Sequence, residues 1–449
     1  MDLAILLAFY FTLGFTQSLP FMALQFFARD ALMLSPSAVS ASLSVASLPW
    51  CVKPAFGFLT DCVPVWGMRR KPYLVGASAG AGSMWVLLAL APASVVATIC
   101  VTVVTQLCVV MADVVADSIV VERVHATETV PHDRGKLQSA TWTARFSGSM
   151  LASLMAGFAL EHIAPRNVFA INALPLLGVA VCALWYRDAP EFAGPGTADV
   201  LESDTGWSGI ELHPLEHGSL AVRATRKARF LVSLRRVMFV MRQPNVKRAC
   251  VFLFVSAATP YPGAAMFFFY TQPRAIGGLQ LAPSFLAALG VVGNVCGIVG
   301  AQLYRRTRLR TMPLKKIYMV VTLVVAALYC TDLVLITRAN TKLGIDDRVF
   351  LLGSEIAEDV VEATLSLPLL VMIAHLCPRG LEAAVYASVI SVSNAGGMTS
   401  RLLGAGLARM FGIAMHDFRN LWALSLSCTV LSLTPLALLR WLPDTSASR

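Results

Sequence analysis

Twelve apolar stretches of about 20 residues, each long enough to cross a bilayer as an α-helix, follow one another along this 449-residue chain. Short polar joints separate them. No other feature restricts the fold so strongly, because backbone inside hydrocarbon must satisfy its own N–H and C=O groups and is therefore helical or part of a closed barrel. The stretches run over 3–27, 37–60, 73–91, 94–121, 137–161, 166–187, 247–272, 282–304, 314–337, 349–376, 382–411 and 418–441. Composition agrees: the chain is 57% hydrophobic and 14% charged, where soluble domains carry roughly 45–50% apolar and about 25% charged residues. The expected class is an all-α integral membrane protein.

The first stretch starts almost at Met1, with no basic segment before it and no small-residue cleavage site after it, so it reads as a retained helix rather than a signal peptide. Basic residues orient the chain, because cytoplasmic joints accumulate Lys and Arg. With both termini and the even-numbered joints on one side, and basic residues at span edges counted with the adjoining joint, that side holds 25 of the 36 Lys and Arg, the other side 8, and the span interiors 3. Termini and central loop are thus expected in the cytoplasm, in a plasma membrane or an organelle envelope. The net charge of +10 is then topology. Without a folded basic domain, nucleic acid is not an expected partner; the lipid bilayer is.

Six spans, a polar joint of about sixty residues and six more spans divide the chain into 1–187, 188–246 and 247–449. The end of the joint carries Phe230, Leu231, Leu234, Val237, Met238 and Met241 at helical spacing, with Arg229, Arg235 and Arg236 among them. This pattern predicts either a basic helix lying on the membrane face or a solvated linker that enforces topology. The halves also resemble each other. "ADVVADS" (112–118) matches "EDVVEAT" (358–364), and "SATWTARFSG" (139–148) lines up with "SVISVSNAGG" (388–397), which pairs Arg145 with Asn394 and Gly148 with Gly397. Repeated halves around a mid-membrane site are a transporter plan.

Charges inside spans are expensive and so face a bundle interior or a watery cavity. Asp113 and Asp117 are four apart on the fourth span, while Glu355, Glu358, Asp359 and Glu362 follow the i, i+3, i+4, i+7 pattern on one stripe of the tenth. Lys53, Arg145 and Arg401 supply the opposite sign. Carboxylates crowded in low dielectric cannot all stay ionised, which suits a proton-coupled carrier. The alternative is that the cations merely neutralise the acids and tie helices together. In the seventh span, "TPYPGAAMFFFYTQP" predicts a break at Pro260, Pro262 and Gly263, and Phe267, Phe268, Phe269 and Tyr270 are either stacking faces for a flat ligand or simple packing. Gln17 and Gln25 are further polar candidates for a cavity.

No G-x-S-x-G, H-E-x-x-H or P-loop pattern is present, and the ten cysteines and seven histidines show no metal-like spacing. An enzyme, a metal site and a cofactor are not expected.

A glycine, three residues, an Asp, then a glycine and paired bases between the second and third spans resembles the signature of the major facilitator superfamily. Here it is Gly57, Asp61, Gly67, Arg69 and Arg70. More narrowly, "LPWCVKP" running into "GFLTDCVPVWGMRRKPYL" resembles the folate-biopterin transporter family. Supporting matches are "LSPS" (34–37), "DVVADS" (113–118), Arg145 after a Trp, and "SVISVSNAGG". The resemblance covers all but the central joint. It implies a major facilitator fold of twelve transmembrane helices in two six-helix halves, working as a monomeric secondary carrier of folates or related pterins, with protons as the coupling ion. Members of that family also carry other solutes, S-adenosylmethionine among them; a non-transporting sensor or scaffold is the rival of another class. Lys53, Asp61, Arg69, Arg70, Asp113, Asp117 and Arg145 fall on family motif positions. The expected substrate or coupling residues are Lys53, Asp113, Asp117, Arg145, Glu355, Glu358, Asp359, Glu362, Asn394 and Arg401. A conformational latch is expected of Gly57, Asp61, Gly67, Arg69 and Arg70.

Overall fold

The computed structural model describes residues 3–68, 70–127, 136–185, 234–235, 237–306, 313–376 and 382–442. Among them every expected span is helical. The first half consists of α1 (Leu3–Asp30), α2a (Pro36–Ala46) and α2b (Lys53–Cys62), α3 (Lys71–Leu90), α4 (Val95–Thr127), α5 (Lys136–His162) and α6 (Pro165–Ala183). The second half repeats the series with α7a (Pro244–Ala257) and α7b (Gly263–Thr271), α8 (Pro283–Arg306), α9 (Leu314–Ile336), α10 (Asp347–Leu376), α11 (Glu382–Met410) and α12 (Leu421–Leu431). Proline stands in the first turn of α2a, α3, α6 and α7a, where its missing N–H has no helical partner to lose.

Within the first half α1 packs along α5, and α3 against α4 and α6; within the second, α8 packs along α10, α7a along α11 and α9 along α12. The closest approach is reciprocal. A Cβ on Gly14 of α1 would collide with the Arg145 carbonyl of α5, and one on Gly148 with the Phe11 carbonyl of α1. Small residues let membrane helices meet backbone to backbone in this way. In α11, Gly396 rests against Phe254 and Ala257 of α7a and Gly404 against the Tyr261 carbonyl, while a Cβ on Gly397 would meet open space. Gly397, paired with Gly148 by the sequence, makes no such close contact.

The halves meet along two seams, α2 with α11 and α5 with α8, where Gly157 rests on Ser284 and Ala287. At the face opposite the basic joints a single apolar core joins them, containing Phe26 of α1, Val39 of α2a, Phe268 of α7b and Leu421 of α12. Phe26 meets Phe267 edge-on at 5.1 Å, and the Arg29 guanidinium lies 4.7 Å from the Phe26 ring.

Three spans are interrupted; the twelfth passes after Leu431 of α12 into a 3₁₀ segment, Thr434–Trp441. The seventh breaks where its prolines predict, between Ala257 and Gly263. The second, expected as one helix, breaks at Ser47, passes through a 3₁₀ turn (Leu48–Val52) and restarts at Lys53. Pro49 within this turn and Pro54 just after it each remove a helical donor. The described end of the central joint, 234–235 and 237–242, is helical. It does not lie loose on the membrane: Val237 and Val240 are buried in a core with α7a, α9 and α11.

Candidate functional site

Four helices of the first half bring the expected charges together. Asp113 and Asp117 sit one turn apart on α4. Lys53, the first residue of α2b, donates from Nζ to Asp113 Oδ2 at 2.7 Å and to Asp117 Oδ2 at 2.8 Å. Arg145 donates from Nη1 to Asp113 Oδ1 at 2.9 Å and from Nη2 to Gln17 Oε1 of α1 at 2.7 Å. The Tyr10 hydroxyl of α1 donates to Asp117 Oδ1 at 2.8 Å. The rings of Trp50 and Trp142 lie 5.9 and 5.5 Å from the Lys53 and Arg145 charges, within cation–π range. Backbone contact at Gly14 and Gly148 fixes where Arg145 stands relative to Gln17, because neither helix can move aside.

Two cations and two anions cancel, so the cluster is neutral as a whole. The two acids differ in access. Asp113 is 1% exposed and both of its oxygens are engaged, whereas the Asp117 side chain is 47% exposed. A buried ion pair is tolerable only when such hydrogen bonds satisfy it. Asp113 is enclosed within the cluster and Asp117 lies at its accessible edge.

The second half holds a different arrangement. The Asp359 carboxylate on α10 lies against Gly293 of α8, where any Cβ would press on it. Glu355 and Glu358, together with Asp332 of α9, lie within electrostatic reach of the hydroxyls of Tyr261, at the α7 break, and Tyr270, near the end of α7b. The Glu362 side chain lies outside the described residues. Asp332 was not among the sequence candidates; its signal was a single acid inside the apolar ninth span. Tyr10 was missed as well, since a tyrosine in an apolar helix carries no signal of its own.

Asn394 and Arg401 lie on the α2–α11 seam rather than with the acids. Asn394 Nδ2 donates to the Trp50 carbonyl at 3.1 Å, and Arg401 Nη2 to Ser47 Oγ at 2.8 Å. The stacking role considered for Phe267, Phe268 and Phe269 is overturned, because all three are buried in the core that joins the halves.

Of the expected latch, Gly57 faces α4 near Val114. Gly67 (φ 74°) and Trp66 (φ 52°) are the two left-handed residues of a tight turn closed by two 3.0 Å bonds between Val65 and Met68. That backbone favours glycine. Arg70, 5% exposed, donates to Thr60 Oγ1 at 3.0 Å. Arg69, with the side chain of Asp61, lies outside the described residues.

Comparisons with known proteins agree with this architecture. The family model of the BT1 family matches residues 13–448. The chain is 33% identical over 443 residues to the folate-biopterin transporter of Synechocystis sp., covering 98% of this chain and 82% of that one. It is 29% identical over 457 residues to the probable folate-biopterin transporter 4 of Arabidopsis thaliana, covering 94% and 91%. Among solved structures, the D-xylose-proton symporter superposes with a TM-score of 0.66 at 15% identity, covering 99% of this chain and 98% of that one. The nucleoside transporter NupG superposes at 0.67 and 11% identity, covering 98% and 99%. These structures share the major facilitator fold with this chain.

Proposed function

This chain belongs to the BT1 family, and from that membership we propose that it is a secondary active transporter of folates or related pterins, driven by a proton gradient and working by alternating access. It is a multi-pass membrane protein of a transporter family and not an enzyme. The face carrying the even-numbered joints is the cytoplasmic one. The solute binds between α1, α4, α7 and α10, and the protein works as a monomer.

The observation that carries this reading is the neutral four-charge cluster with one accessible acid. A proton arriving on Asp117 leaves Lys53, Arg145 and Asp113 with a net charge of +1. A folate's anionic tail restores neutrality, so proton and anion each favour the arrival of the other, which is the reciprocity that coupling requires. The ring N–H and amino group of a pterin offer two adjacent donors, for which a carboxylate is the matching bidentate acceptor. Asp117 and the Glu355 and Glu358 carboxylates are the candidates. Asp61, Arg69 and Arg70, with Gly57 and Gly67 shaping the α2–α3 connection, act as the latch that pairs and parts between conformations.

The test is uptake of labelled folate, biopterin and S-adenosylmethionine by proteoliposomes under an imposed pH gradient. Folate uptake is expected to rise with an inward proton gradient and to collapse with a protonophore. Asp117→Asn mimics the protonated acid permanently. It should abolish gradient-driven accumulation while folate-for-folate exchange persists. Gradient-driven accumulation in that variant would remove Asp117 from coupling, and uptake of S-adenosylmethionine alone would replace the proposed cargo.

A further inference from the structure

The helical residues 234–235 and 237–242 present two faces with different fates. Val237 and Val240, 5% and 2% exposed, anchor them to the second half. On the other side Arg235, Met238, Phe239 and Arg242 stand at i, i+3, i+4 and i+7, one continuous exposed stripe. Met238 and Phe239 are 42% and 52% exposed, so the stripe is apolar in its middle and basic at both ends. Neither Arg235 nor Arg242 makes a hydrogen bond or ion pair among the described residues. Lys247 and Arg248, also exposed, follow on the first turns of α7a.

Beside this stripe runs a groove of about 410 Å³ that belongs to both halves. Pro54, Ala55 and Phe58 of α2b form one wall and Met238, Met241 and Ser388 the other, and among the described residues Arg242 is the charged one in its lining. The groove opens at the α2–α11 seam, and the neighbouring surface of α2 exposes Val52, Leu59 and Val63. Those side chains lie where a membrane-spanning helix meets hydrocarbon.

An apolar slot with an unpartnered cation at its end has the polarity of a phospholipid: an acyl chain for the slot and a phosphate for the guanidinium. We infer that this groove seats an anionic glycerophospholipid of the leaflet on the basic face, its phosphate on Arg242, its acyl chain between α2b and residues 237–242, and Arg235 adding positive charge to the same stripe. Because the walls come from both halves, the lipid is a ligand of the conformation in which those walls are close and favours that conformation.

Native mass spectrometry of the full chain tests this without reference to transport. After exchange in detergent mixed with phosphatidylglycerol or phosphatidylcholine, the parent should retain phosphatidylglycerol preferentially. Retention should fall by about tenfold or more in the Arg235→Gln/Arg242→Gln double variant, with phosphatidylcholine unaffected and Arg242→Lys keeping most of it. Thermal unfolding checks that the variants are folded. If the double variant is not, the two single variants carry the comparison, each losing part of the effect. Equal retention by parent and variants, or no preference for the anionic lipid in the parent, overturns the assignment. Glycerol phosphate added as a soluble competitor should displace little; full displacement at matching concentration would show a site for a free phosphate and overturn the lipid.

Discussion

The Nδ2 of Asn394 and the carbonyl oxygen of Trp50, 344 residues apart in the chain and in opposite halves, are joined by a hydrogen bond of 3.1 Å. In a continuous helix that carbonyl would accept from the N–H of residue 54, but residue 54 is a proline. The second half thus supplies the donor that the first half lacks.

An orphaned acceptor costs about 1–3 kcal/mol; Ser391 Oγ also donates to the Trp50 carbonyl, at 3.5 Å, so Asn394→Ala should lower unfolding stability by the lower end of that range. Restoring the local donor should relieve it. In a Pro54→Ala background the same Asn394→Ala change should cost less than half as much, measured as a double-mutant cycle on thermal unfolding in detergent. Strict additivity would sink the substitution of donors.

Asp113 and Asp117 should separate under mutation. Asp113→Asn leaves Lys53 and Arg145 without their shared buried partner, a loss of about 3–5 kcal/mol for a broken interior pair. Asp117→Asn, at a half-exposed position, should cost clearly less. Denaturation midpoints of the two purified variants decide it; equal losses would mean that Asp117 is as structural as Asp113.

Gly14→Ala should push α1 from α5 and draw Gln17 from Arg145, with a loss of about 1–3 kcal/mol from overpacking. Gly178→Ala on α6, where a Cβ meets nothing within 4 Å, should instead gain about 0.5–1 kcal/mol from the better helix former. Thermal stability of the pair is the measurement.

Asp417, in the connection between α11 and α12, is held down to about 2 by hydrogen bonds from Arg419. A carboxylate depressed in the folded state contributes fully above its unfolded value, about 3.9, and loses that contribution only as pH falls through about 2. It stays charged over any physiological pH range. Asp417→Asn should therefore leave the pH profile of uptake unmoved, and a shifted profile would place part of the proton response on this exposed loop.

The helices were legible because hydrocarbon imposes one length and one polarity on every span. Pairing within the site was less so. Spacing alone put Asp113 and Asp117 on one face of α4, yet nothing in a linear pattern says that Lys53 would be the residue to bridge them. Neighbours of a helix are set by how halves pack, and for the same reason Asn394 and Arg401 read as cavity residues until α11 was set against α2. The attention drawn by four acids on α10 hid the single acid Asp332 on α9, which lies near the same tyrosines. The break in α2 has a signal in the sequence, two prolines five residues apart, each without the N–H that a continuous helix needs.

That break also changes the phase of the span. A 3₁₀ turn advances about 120° per residue and an α-helix about 100°, so the five residues Leu48–Val52 rotate everything after them by about 100° relative to an uninterrupted helix. A helical wheel drawn through residues 36–62 misplaces Lys53 by more than a quarter turn. With the extra rotation, the segment that shows Ser47 and Trp50 to α11 shows Lys53 to α4. The two prolines thereby aim a charge, and straightening this span would swing the ammonium away from its acids without altering a single charged residue.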